Sequence, residues 1–97
     1  KNDSLIRKIE PGKKIIYTYK NGALIEEKII TDFGWTLTNS YTSSNEISER
    51  FYKVEKNETL NYNIKYYYNE NNNEVKFITY NYLNEPIVCE TREYIYY

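Results

Sequence analysis

Between residues 60 and 68, Leu60, Tyr62, Ile64, Tyr66 and Tyr68 alternate with Asn61, Asn63, Lys65 and Tyr67. Successive side chains of a strand point to opposite faces, so this period of two predicts a strand with one packed face and one wet face. A helix would scatter the same apolar residues all around its axis. No other segment has so clean a period, and it sets the expectation for the rest of the chain.

The neighbouring segments extend the pattern. Ile15 to Tyr19 is a run of β-branched and aromatic residues followed at once by Asn21-Gly22. A type I′ turn needs positive φ at both central positions, which Asn tolerates and Gly takes freely. A two-residue loop pairs Tyr19 with Leu24, Thr18 with Ile25 and Tyr17 with Glu26. Further strands are expected over Trp35 to Tyr41, Ile47 to Glu55, Glu74 to Tyr82 and Ile87 to Tyr96, because aromatic and branched residues fit a pleated surface. Polar turns separate them at Thr42 to Glu46, Lys56 to Glu58, Asn69 to Asn73 and Leu83 to Pro86. Residues 1–13 read either as a short helix, capped by Asp3 or Ser4 and ended by Pro11-Gly12, or as an extended arm.

Short loops make sequential strands antiparallel neighbours. The expected fold is therefore mainly β: a single domain over 1–97, with an antiparallel meander of six to seven strands over 14–97. A flat meander exposes two edges. Curling into a roll or small barrel removes them, with Gly34 as the candidate bend. The alternative is an edge left open for a partner strand or a second copy.

Three units share a form: Tyr17-Thr-Tyr19 before Asn21-Gly22, Tyr66-Tyr-Tyr68 before an Asn-rich turn, and Tyr80-Asn-Tyr82 before Asn84-Glu-Pro86. Each has paired aromatics, a polar turn and then branched apolar residues. The rhythm resembles the tyrosine-rich hairpin repeats of YD/Rhs-type shells and MORN-like repeats of bacterial proteins. Only the first unit carries the Gly of those repeats and the spacing drifts, so membership of either family does not follow.

Composition narrows the function. The 97 residues carry 13 basic and 14 acidic side chains, a net charge of −1, and no His. A near-neutral chain without a polybasic block lacks the electrostatic footprint of a nucleic-acid binder. Without His, the commonest general base and metal ligand are missing. Cys89, the one thiol, has no evident activating base and reads as a small apolar strand residue. Glu90, Arg92 and Glu93 lie close together, but a surface ion pair accounts for them. Asp32-Phe33-Gly34 matches the kinase triplet in letters only. No enzyme, cofactor or metal is expected, and no apolar run is long enough to span a membrane.

What remains is 13 Tyr, 3 Phe and 1 Trp. Rigid amphipathic rings supply contact area at little entropic cost. The expected role is a non-catalytic binding module that engages a partner protein through a Tyr-rich sheet face or an open edge. Its candidate residues are Trp35, Tyr66, Tyr67, Tyr68, Tyr80, Tyr82, Tyr94 and Tyr96. A small inhibitor or immunity protein and a carbohydrate-binding surface module are the alternatives. Asn-, Lys-, Ile- and Tyr-biased usage suggests an AT-rich bacterial or phage source. The start at Lys1 instead of Met fits a trimmed chain or an exported, surface-located protein; an inhibitor would be cytoplasmic.

Overall fold

The computed structural model describes residues 4–93. They form one antiparallel sheet of eight strands in simple sequential order. The strands are β1 (Ser4–Glu10), β2 (Lys13–Lys20), β3 (Ala23–Thr31), β4 (Trp35–Tyr41), β5 (Ile47–Val54), β6 (Tyr62–Tyr68), β7 (Glu74–Tyr80) and β8 (Pro86–Thr91). A single 3₁₀ turn, Glu58–Leu60, capped by the Asn57 side chain, separates β5 from β6. The predicted all-β meander is what the chain forms.

Several expectations are corrected. Residues 4–10 are a strand, neither a helix nor a free arm: Pro11-Gly12 closes a hairpin that pairs Glu10 with Lys13 and Ser4 with Tyr19. Proline followed by a glycine at φ 81° is the residue pair of a type II turn. This strand raises the count to eight. The sheet is also open, not a roll or barrel, with β1 and β8 as its edges. Gly34, the supposed bend, sits at φ 92° in the β3–β4 turn. That turn is organised by Thr31, whose hydroxyl donates to the Trp35 carbonyl and accepts from the Phe33 and Trp35 amides. Leu60 belongs to the 3₁₀ turn, and Tyr82 lies beyond the end of β7.

The Asn21-Gly22 hairpin forms as expected, with φ of 53° and 80°. Its register does not run straight. Tyr19 pairs with Leu24, but Thr18 pairs with Glu26 and Tyr17 with Glu27, leaving Ile25 as a bulge. Without the bulge Lys28 would lie opposite Ile15 and Ile29 opposite Lys14. With it, Ile29 joins Ile15 on one face and Lys28 moves to the other. The same device recurs. A bulge after Tyr41 places Tyr52 opposite Leu37, and one beside Tyr68 places Phe77 opposite Tyr66. A fourth lies beside Tyr80.

Three loops share one design. In Thr42–Glu46, Asn69–Asn73 and Asn81–Glu85 the first amide donates to the fifth carbonyl. The first side-chain oxygen accepts from the third and fifth amides. The fourth residue is Asn45, Asn72 or Asn84, at φ 67°, 63° and 63°. Asn is the residue other than Gly that tolerates this left-handed backbone.

No second layer covers the sheet. Ile15 is the one buried hydrophobic residue among those described. The radius of gyration is 15.6 Å, with extents of 47 × 39 × 21 Å, against about 13 Å for a compact domain of this length. The accessible surface is 7077 Å²; a compact protein of this size exposes about 5,900 Å².

The bulge yields a direct test. Ile25 is exposed, so Ile25→Thr should shift the urea unfolding midpoint little, by about 0.5 kcal/mol or less. Deleting Ile25 should abolish cooperative unfolding, because it exchanges the faces of everything beyond it in β3.

Candidate interaction face

Residues paired across an antiparallel ladder share a face, so the registers assign every strand position. One face carries Ile15, Ile29, Leu37, Tyr52 and Tyr62 in a single row across β2 to β6. Flanking them are Trp35 with Val54, Arg50 with Ile64, and Tyr66 with Phe77. We call this the aromatic face. The opposite face carries Arg7, Lys14, Lys28, Lys53, Lys65 and Lys76 among threonines and serines, and we call it the lysine face. In β5 and β6 exposure follows this division: Tyr52, Val54, Ile64, Tyr66 and Tyr68 are half-buried, whereas Phe51, Lys53, Lys65 and Tyr67 are exposed.

The predicted site residues are divided between the two faces. Trp35, Tyr66 and Tyr68 lie on the aromatic face. Trp35 contacts Tyr52 at 5.7 Å between ring centres, and Tyr52 stacks on Tyr62 at 5.1 Å. Tyr66 meets Phe77 at 6.2 Å, and the Tyr68 hydroxyl donates to the Ile47 carbonyl at 2.6 Å. Tyr67 and Tyr80 are on the lysine face, with Lys76 over the Tyr67 ring at 4.8 Å and Lys65 over Tyr80 at 5.5 Å. Tyr82 is exposed in the β7–β8 loop. Tyr94 and Tyr96 lie outside the described residues. The eight candidates therefore do not form one site.

Sequence reasoning did not single out Tyr52 and Tyr62, which join Trp35 into a continuous strip. It also missed the polar cluster beside that strip. Glu27 Oε1 accepts from Asn39 Nδ2 at 3.2 Å and from the Tyr41 hydroxyl at 3.1 Å, and Arg50 Nε donates to Asn39 Oδ1 at 2.9 Å. Asn39 is only 4% exposed. Both ends of its amide are used, so Glu27 and Arg50 are linked through it across β3, β4 and β5. The only signal in the sequence would have been a bulge-corrected register, since Glu27, Asn39 and Arg50 are far apart along the chain.

Burial pushes the Tyr41 hydroxyl above the ordinary tyrosine range, helped by its hydrogen bond to Glu27. Burial also raises Tyr68, reinforced by Glu46 and Glu74. Among the described residues no cluster of His, Cys, Asp or Glu could hold a metal ion. No helix is long and apolar enough to cross a membrane. A hollow of about 240 Å³ near the β7–β8 loop is lined by Phe51, Asn61, Asn63, Asn81 and Tyr82. Its amides are engaged by the protein itself: Asn61 caps Val54 N–H, Asn63 donates to Glu49, and Asn81 organises its own loop.

Compared with known proteins, the chain matches no family model, no curated protein and no solved structure.

Two measurements follow. Asn39→Ala leaves Glu27 and Arg50 each short of a partner and should cost about 1–3 kcal/mol in chemical denaturation. A tyrosine whose folded pKa is raised contributes stability that is complete below the unfolded value of about 10 and lost as pH rises through the folded value. The thermal midpoint should therefore fall above about pH 10, and Tyr41→Phe/Tyr68→Phe should flatten that fall. Phenolate absorbance should show late-titrating tyrosines in the folded parent that vanish in the double variant.

Proposed function

We propose that the protein is a non-catalytic interaction module whose aromatic face receives a partner protein. The observation that carries this reading is a face of Ile15, Ile29, Leu37, Trp35, Tyr52, Tyr62 and Tyr66 with no second layer over it. A sheet ordinarily buries its apolar face against another element. Interface cores favour Tyr and Trp, and they use Arg where it can hydrogen-bond. Arg50, held by Asn39 among these rings, supplies a cation beside the strip.

A protein fits this surface better than a sugar. The rings of Trp35, Tyr52 and Tyr62 pack on one another, so part of their faces is already occupied, while the amides around the nearby hollow are spent on the chain. A broad, shallow, half-buried apolar face is what a second protein layer covers. Tyr67 and Tyr80 are not part of this surface; they serve the lysine face.

Photocross-linking tests the assignment in cells that express the protein. A benzophenone side chain at position 66 should give a discrete protein adduct, and the same group at position 67 should not. The adduct should disappear with Trp35→Ser/Tyr62→Ser if the folded sheet persists by circular dichroism. Equal labelling from both positions, or none from position 66, would exclude the aromatic face.

A further inference from the structure

The two edges of the sheet are complementary to each other. The Asp32 amide donates to the Gly12 carbonyl. Antiparallel bonding alternates, so the even residues of β2 bond β3, while Lys13, Ile15, Tyr17 and Tyr19 bond β1. Their partners Glu10, Lys8, Ile6 and Ser4 use their amides inward, and Leu5, Arg7 and Ile9 present theirs to solvent. At the other edge the Arg92 amide donates to the Val75 carbonyl. Glu90, paired with Phe77, therefore bonds inward, and Cys89 and Thr91 point their amides and carbonyls out.

Neither edge is protected in the usual ways. Proline, a bulge or an inward charge blunts edge strands in natural sheets. β1 pairs without a bulge along its whole length, and no proline occupies an outward position of either row. Ile9 is 73% exposed, and every residue of β8 is exposed.

We infer that β8 of one copy pairs with β1 of a second copy, extending the sheet head to tail. Eight alternating strands make β1 and β8 run in opposite directions, so the added strand is antiparallel and the aromatic faces stay on the same side. The register that satisfies both outward rows sets Cys89 opposite Ile9 and Thr91 opposite Arg7 on the lysine face. It sets Glu90 opposite Lys8 on the aromatic face. Charge decides the partner. Centred pairing of β1 with itself opposes Arg7 to Arg7, and centred pairing of β8 with itself leaves Glu90 against Val88. Only the mixed pairing gives Glu90 a cation, and directly opposed unlike charges favour a cross-strand pair. This contact uses the edges and is independent of what covers the aromatic face.

Sedimentation equilibrium with charge-swap variants tests it. The parent should show a mass that rises with concentration. Lys8→Glu and Glu90→Lys should each weaken association about two- to fivefold, and the double exchange should restore it. Oxidised Ile9→Cys should give a ladder of intermolecular disulfides with Cys89, because bonded antiparallel partners lie about 5.5 Å apart at Cα, within disulfide reach. Lys8→Cys, on the opposite face, should not. A strict monomer at millimolar concentration, no rescue by the double exchange, or a purely intramolecular Ile9→Cys disulfide would each overturn the proposal; the last would mean that the sheet closes on itself.

Discussion

Strand side chains repeat every two residues, so one unpaired residue in a ladder exchanges the faces of all that follows. This sheet depends on that constraint three times. The bulges in the β2–β3, β4–β5 and β6–β7 hairpins send Lys28, Lys53 and Lys76 to one side. Ile29, Tyr52 and Phe77 go to the other. Straight registers would put each lysine opposite Ile15, Trp35 and Tyr66 respectively, burying ammonium groups among apolar residues at a cost that burial of a charge always carries. The two-faced character of the molecule is thus a property of its register more than of its composition.

The chain's near-neutral net charge hides this division. Basic residues collect on the face where they remain hydrated, with Lys65 and Lys76 lying over tyrosine rings. On the aromatic face the charges are fewer, and Glu27 and Arg50 are joined through the buried Asn39. A single layer also explains the tyrosines. With nothing stacked above, side chains gain contact sideways along the rows, and a long ring with a hydroxyl at its tip can pack laterally while its polar end stays wet or finds a carbonyl. Tyr52 on Tyr62 and the Tyr68 hydroxyl on Ile47 are the two forms of this.

Much of the local structure was legible. The alternation from Tyr62 to Tyr68, the Asn21-Gly22 turn and the polar loops at Thr42–Glu46 and Asn69–Asn73 follow from backbone preferences that act over a few residues. The first strand was not legible, because Leu5, Ile6 and Ile9 suit a short helix as well as an edge strand, and only pairing with β2 decides between them. Nor was the candidate face. Tyr66, Tyr67 and Tyr68 look like one cluster in the sequence, yet adjacent strand residues point apart, and Tyr67 is separated from its neighbours by the thickness of the sheet.

By itself the sequence determined an antiparallel, tyrosine-rich β-meander, since short polar turns and period-two runs leave few other topologies. The tertiary structure alone decided that the sheet stays open and which residues share a face. It also decided that Trp35, Tyr52 and Tyr62 form a strip. Closure and register depend on how hydrogen-bond ladders count residues between distant strands. A single bulge changes that count without leaving a mark on the composition.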